Sequence, residues 1–284
     1  MDAPEHLDVA SALGTAPPAL TAGDTADLPG LGRSGPAANA LSQPGALRGR
    51  AWLVLQTRQA ERLVKGRPAS AGKPAIIGLL GFASLLRTLW HGARADDPYA
   101  DWWLLQIDAA LVLAEETLTT QALTLAVELA ATSGVELDPA ASVKPARILL
   151  QFTNPYAYRG AHLLAHYDRL AGTLLTAAHV GLLDRPGLER RLQEGARPVR
   201  RAYATPAGYR FLGVSRADLE QGTARAGQAR AAMGEVPESV LRGETRAPLA
   251  PARLLLDGTR LLSPGLQVPL TTPAPPGAGR EDDA

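Results

Sequence analysis

The stretch from Asp96-Asp97-Pro98 to Ser133-Gly134 sets the scale of any fold this chain can adopt. An Asp cap followed by Pro at the first turn places carboxylates at the positive end of a helix dipole. An apolar stripe of Trp102, Trp103, Leu105, Ile107, Leu113, Leu118 and Leu125 then runs towards the Ser-Gly stop. The pattern predicts one helix of ~35 residues, ~50 Å long. Just upstream, Lys73-Pro74 has Pro in the first-turn position of a second helix. Ile76, Ile77, Leu79, Leu80, Phe82, Leu85, Leu86, Leu89 and Trp90 make that helix apolar on nearly every side, so it belongs in the centre of a core. Gly78 and Gly81 within it allow another element to approach closely.

Two β-runs frame these helices. The first, 50–56, leads from Arg50 to Gln56 and closes on Thr57, a cap for a short helix that Gly66-Arg67-Pro68 stops. The second, 147–153, alternates Ile148, Leu150 and Phe152 with Arg147, Leu149, Gln151 and Thr153. Asn154-Pro155 then caps a helix to about residue 178. Strand followed by helix thus occurs twice, which suggests an internal duplication. If the two strands pair, they form a ribbon within one chain, and such a ribbon must pack on helices or on a second subunit. Downstream, Asp184 with Pro186 starts a helix through about Gly195, Thr205-Pro206 a further turn, and Ser215-x-x-Asp218 a capping-box helix to about Met233.

The ends read differently. Residues 1–45 and 234–284 are rich in Ala, Gly, Pro, Ser and Thr without sustained periodicity, and are expected to be largely disordered. Within the second tail, 253–262 reads as a short hairpin around Asp257-Gly258 or as a docking peptide. A single mostly helical domain over 46–233 remains. No cysteine is present, so disulfides and cysteine-ligated zinc are excluded. Residues 1–30 carry five acids, no Lys or Arg and no signal-peptide core, and no apolar run reaches membrane-span length. A cytoplasmic location is the expectation.

Net charge is only +1, so an anion-binding role requires local asymmetry. The asymmetry exists. Six basic residues (Arg48, Arg50, Arg58, Arg62, Lys65, Arg67) lie around the first strand and its helix, against Glu61 alone. A strand feeding a basic helix suits a β-ribbon DNA reader. On that reading Arg50, Gln56, Arg147, Gln151 and Thr153 project from one ribbon face towards base edges, for which Arg and Gln have the right bidentate geometry. Lys73 and the backbone N–H groups near Ala75 would hold a phosphate. Trp52, Val54 and Leu149 share that outer face and favour an ordinary solvated edge instead. The segment 185–201 has six arginines against Glu189 and Glu194, and reads equally as a phosphate-tracking surface or a solvated helix face. His162 and His166 stand one turn apart near Asp168, but the HExxH glutamate is missing and no third ligand is evident. No nucleophile elbow, Walker loop or dinucleotide fingerprint is present. Neither an enzyme nor a cofactor is expected.

The strings Lys73-Pro-Ala-Ile-Ile-Gly-Leu-Leu80, Gly92-Ala-Arg-Ala-Asp-Asp-Pro-Tyr-Ala-Asp-Trp-Trp103, Gln151-Phe-Thr-Asn-Pro-Tyr-Ala-Tyr-Arg-Gly160 and His179-Val-Gly-Leu-Leu183 resemble those of a family encoded on integrating conjugative elements, related to AcaB-like regulators of conjugative plasmids. The resemblance covers about 46–248. It implies a ribbon-helix-helix transcriptional regulator, with strand 50–56 and helices 57–66 and 74–91 as its three parts in order. The apolar Trp52 and Val54 depart from a base-reading strand and leave Arg50, Gln56 and Arg58 as the best readers. The combined expectation is a mainly α fold with a small two-stranded ribbon, acting as a DNA-binding accessory or regulatory protein of a mobile element. Its partner is double-stranded DNA and its assembly a homodimer. The contact set is Arg48, Arg50, Gln56, Arg58, Arg62, Lys65, Lys73, Arg147, Gln151 and Thr153. The competing expectation is a protein-interaction component of the conjugative transfer machinery.

Overall fold

Along the chain run β1 (Ala51–Leu55), α1 (Arg58–Lys65), β2 (Gly66–Arg67), β3 (Ile76–Ile77), α2 (Leu79–Arg94) and α3 (Pro98–Ala130). Then come β4 (Ala146–Leu150), α4 (Pro155–His179), α5 (Arg185–Ala204), a 3-10 turn (Thr205–Gly208), α6 (Arg216–Gln221), α7 (Ala224–Met233), α8 (Glu238–Leu241), β5 (Arg253–Leu254) and β6 (Arg260–Leu261). The computed structural model describes residues 49–131, 138–254 and 260–261. The expected tail 1–45, and Arg48 with it, lies outside them.

The fold is mainly helical with a small ribbon, as expected. β1 pairs antiparallel with β4, Ala51 opposite Leu150 and Leu55 opposite Ala146. Leu53, Leu55 and Leu150 point into the core, while Trp52, Val54, Arg147 and Leu149 point out. α2, α3, α4 and α5 pack against one another beneath the ribbon. At their centre Phe82 stacks on Tyr203 at 5.0 Å, and the Tyr203 hydroxyl donates to the Gly160 carbonyl at 2.8 Å. A buried phenol needs such a partner.

Side-chain caps fall where the sequence places them. Thr57, Asp97, Asn154 and Asp184 each accept from a backbone N–H in the first turn of the following helix. Ser215 and Asp218 form a reciprocal capping box.

Several expectations require correction. The helix expected from Lys73-Pro74 begins only at Leu79, because Ile76–Ile77 pair with Gly66–Arg67 as a small hairpin. Two β-branched residues satisfy their backbone groups there, and the glycines permit the contact. A Cβ on Gly66 would sit 2.1 Å from the Ile76 carbonyl oxygen, and one on Gly78 2.4 Å from the Gly66 nitrogen. Neither α2 nor its apolar face is fully enclosed, since Leu80 stays exposed. α5 does not stop near Gly195 but runs through Pro198 to Ala204. Ala196, Val199, Ala202 and Tyr203 are buried on its second half, so tertiary packing outweighs the missing proline N–H. The helix expected over 215–233 is two helices, divided at Gly222 with φ 66° and recapped by Thr223.

The chain after residue 234, expected as part of a tail, carries α8 and packs back on α3 as far as Arg253. Three arginines hold it. Asp101, 0% exposed, accepts from Arg216 Nη2 at 2.7 Å, Arg246 Nη2 at 2.9 Å and Arg253 Nη2 at 3.3 Å. Arg216 also pairs with Asp96. Burial and the neighbouring guanidiniums push Arg253 below the ordinary arginine range. Beyond it β5 pairs with β6, consistent with the hairpin reading; the expected turn at Asp257-Gly258 lies outside the described residues.

Asp97 is buried beside this cluster. It accepts from Tyr209 Oη at 2.7 Å and Tyr99 N at 2.9 Å, and burial raises its pKa from 3.8 to about 6. Such a group favours the folded state below pH ~4, and that contribution is lost as pH rises through about 6.

Two outcomes follow. Asp101→Asn, which leaves three guanidiniums facing a neutral group, is expected to destabilise the protein by about 3–5 kcal/mol, read from the urea midpoint at unchanged m-value. Asp97→Asn keeps an acceptor for the cap. Its melting temperature should match the parent near pH 4 and exceed it at pH 7, by an amount on the order of 2 kcal/mol in stability. Equal pH slopes for the two proteins would contradict the burial of a charge there.

Candidate nucleic-acid interface

The corner between β1 and α1 is fixed from a distance. Asp168 of α4, buried, accepts from Gln56 N at 2.7 Å, Thr57 N at 2.9 Å and Thr57 Oγ1 at 2.7 Å. Thr57 Oγ1 accepts in turn from Ala60 N at 3.2 Å, so one hydroxyl serves both cap and anchor. A buried carboxylate with three donors is satisfied, and the donors lose their own desolvation cost. The sequence reading noted Asp168 only beside His162 and His166. Its real partners are more than a hundred residues away, and no local signal marks them. His162 is exposed, while partial burial lowers the His166 pKa. Among the described residues no group of three or more His, Asp or Glu is placed to hold a metal ion.

From this corner α1 presents Ala60, Leu63 and Val64 inward and Arg58, Arg62 and Lys65 outward. The outward three are spaced i, i+4, i+7, one side of a helix. The β2–β3 hairpin continues the basic surface. Arg67 is exposed, with Nη2 3.1 Å from the Pro74 carbonyl oxygen, and Lys73 stands in the turn, bridged to Ser70. The expected phosphate cradle at a helix start near Ala75 is not there, because Ala75 precedes a strand and not a helix.

The two arginine-rich segments meet. A cleft of about 500 Å³ between α1, the hairpin, α4 and α5 is lined by Arg62 and Arg67 on one side and Arg200 on the other, with Gln59 and Gln193. Leu63, Gly66, Ile76, Tyr167, Leu192 and Ala196 complete its lining, and no carboxylate lines it. Arg200 belongs to the arginine run 185–201, read equally as a phosphate-tracking surface or a solvated face; that the run meets α1 was not predicted. Within that run, Arg185 pairs with Glu189 and Arg191 with Glu128.

The ribbon itself is less well disposed to read bases. Its outward face exposes Trp52 (46%), Val54 (40%) and Leu149 (38%), and the Arg147 guanidinium lies 5.2 Å from the Trp52 ring centre. Gln56 is exposed, but its Oε1 accepts from Ser142 N at 2.9 Å, which removes one of the two atoms an adenine contact needs. Gln151 and Thr153, expected on the second strand, lie past its end at Leu150. They are exposed in the connection to α4 and line a separate groove with Arg87 of α2. Arg50 is exposed just before β1.

Residues 43–253 match the family model of the transcriptional regulator AcaB. The chain belongs to that family. AcaB-family members are transcriptional regulators, and the match spans both arginine segments and Asp168. Among solved structures, selenomethionine-containing AcaB from uropathogenic E. coli is similar at 14% identity and a TM-score of 0.49, covering 69% of this chain and 95% of that one. No curated protein matches. Among the described residues no helix is long and apolar enough to cross a membrane.

Asp168→Ala would leave the Gln56 and Thr57 amides without an acceptor. It is expected to lower stability by about 3 kcal/mol and to speed hydrogen exchange at those two amides beyond the global change. Unaltered exchange there would separate the corner from Asp168.

Proposed function

We propose that this AcaB-family protein is a DNA-binding regulator of an integrating conjugative element, gripping duplex phosphates between α1 and α5. The observation that carries the reading is the cleft lined by Arg62, Arg67 and Arg200 with no acid. Three guanidiniums, from α1, β2 and α5, converging on one cleft favour a polyanion. The rest of the protein supplies no comparable net charge, the total being +1. Arg58, Lys65 and Lys73 extend the grip along α1 and the hairpin. Arg48, Arg50, Gln56, Arg147, Gln151 and Thr153 would follow the duplex past the ribbon. β1, α1 and α2 are then the ribbon, helix and helix in order, the protein acts as a homodimer in the cytoplasm, and it performs no catalysis of its own. Phosphate contacts dominate, because apolar side chains fill the ribbon's outer face.

That same apolar face supports a second reading, a protein-interaction component of the transfer machinery, in which the ribbon is covered by another protein.

Retardation of element DNA in a gel, between about 50 and 200 mM salt, tests the first reading. The parent protein should bind at low salt and release steeply. Arg62→Ala should reduce the log–log salt slope by about 1, and Arg62→Glu with Arg200→Glu should abolish retardation while the far-UV circular dichroism is unchanged. No retardation by the parent even at low salt would remove the DNA reading and leave the second.

A further inference from the structure

The second half of α3 is apolar on two opposite sides. Leu111, Ala114, Leu118 and Leu125 are buried against the rest of the bundle. On the far side Leu113, Leu123 and Val127 are 57%, 62% and 71% exposed. They belong to a seam, Leu113, Glu116, Thr120, Leu123, Val127 and Ala130, whose members are all exposed and follow at alternating steps of three and four. That is the spacing by which one helix lies along another. A contiguous exposed apolar strip of this kind marks an interaction surface.

The strip can lose water at little cost. Thr117, Thr119, Thr120 and Thr124 donate their hydroxyls to backbone carbonyls one turn back, at 2.7, 2.8, 2.9 and 2.9 Å. No hydroxyl proton is stranded when the face is covered. Glu116 is the sole ionised group on the seam.

That one charge decides what covers the strip. Contact across a two-fold axis requires a surface that complements itself. A parallel pair would set Glu116 against its own copy. An antiparallel pair centred between Gln121 and Ala122 instead sets Leu113 opposite Ala130, Glu116 opposite Val127 and Thr120 opposite Leu123, so every seam position is used. It also carries Glu116 to the depression that Thr124, Glu128 and Arg190 line in the second copy. Arg190 is exposed and makes no ion pair among the described residues, while Glu128 is already held by Arg191 at 2.6 Å. The lone acid of the seam thus meets an uncommitted guanidinium. The ribbon offers no comparable reason to pair, because β1 and β4 complete it within one chain.

We propose that α3 pairs antiparallel with α3 of a second copy of this chain, along the seam from Leu113 to Ala130. The pairing gives the homodimer its surface and rests on that part of the functional reading alone.

The test is sedimentation equilibrium of the full chain without DNA, from about 1 to 100 μM. A reversible dimer with a micromolar dissociation constant is expected. Leu123→Glu with Val127→Glu, both on the exposed face, should weaken it at least about tenfold with unchanged far-UV circular dichroism. The chain has no cysteine, so an introduced thiol reports only on its own copy. The two copies of position 123 flank the axis about 5 Å apart along it, and those of position 113 about 25 Å. Leu123→Cys should therefore form a disulfide-linked dimer on mild oxidation, and Leu113→Cys should not. A monomer at every concentration, a dimer indifferent to Leu123→Glu with Val127→Glu, or equal cross-linking of the two cysteine variants would overturn the pairing. A dimer lost on Trp52→Glu instead would move the contact to the ribbon and overturn it equally. Retardation of DNA by a protein that stays monomeric would sink the pairing and spare the DNA reading; a dimer that retards no DNA would do the reverse.

Discussion

A carboxylate cut off from water must find its donors in the protein, and this fold meets that demand at two distant points. Asp168 takes the backbone and hydroxyl of the β1–α1 corner. Asp101 takes the guanidiniums of Arg216, Arg246 and Arg253. Hydrophobic burial holds the four long helices together, but it is non-directional and does not choose the orientation of a two-stranded ribbon or of a chain end. The buried carboxylates and their directional hydrogen bonds do. Without Asp168 the basic helix α1 would still be greasy on its inner side, yet the β1–α1 corner would lose the three hydrogen bonds that orient it. The electrostatic face therefore depends on a buried group of opposite sign that never touches a ligand.

The position of α5 follows from the same economy of contacts. Its buried residues are small or slender (Ala196, Val199, Ala202), with Tyr203 the exception, so the helix lies close to α3 and α4 and leaves shallow depressions on both flanks. Arginines spaced round the helix then fall into different grooves. Arg200 joins α1, while Arg197 and Arg201 turn to α3. A charge-dense segment that reads as uniform in one dimension is partitioned between two environments in three.

Much of the architecture was legible because its signals are local. Thr57, Asp97, Asn154, Asp184 and the Ser215–Asp218 box are chemical statements about the next three residues, and each helix starts where its cap says. The alternation in 147–150 showed which side chains would be inside. What escaped was either too short or too remote. A two-residue pairing such as Ile76–Ile77 with Gly66–Arg67 has no periodicity to detect, and Pro74 mimics a helix start. Pro198 reads as a stop, but the apolar stripe beyond it overrode that signal. The arginines at 246 and 253 sit in a Pro- and Ala-rich stretch whose composition resembles a tail, and only Asp101, well over a hundred positions earlier, makes them structural. For the candidate site, α1 was legible as a basic helix, whereas the cleft was not, because Arg200 reaches it through tertiary packing alone.

The ribbon's strands are separated by roughly ninety residues, so their pairing carries a long loop-closure cost that local structure cannot offset. β1 leaves the ribosome long before its partner exists, and neither half alone has a second strand to complete its edge. α4, which brings Asp168, is made later still. A partially synthesised chain therefore has the basic residues of α1 but not their presentation. Any activity that needs the assembled surface begins only when the translated length has passed α5, and fragments released earlier carry positive charge without the shape that would make it selective.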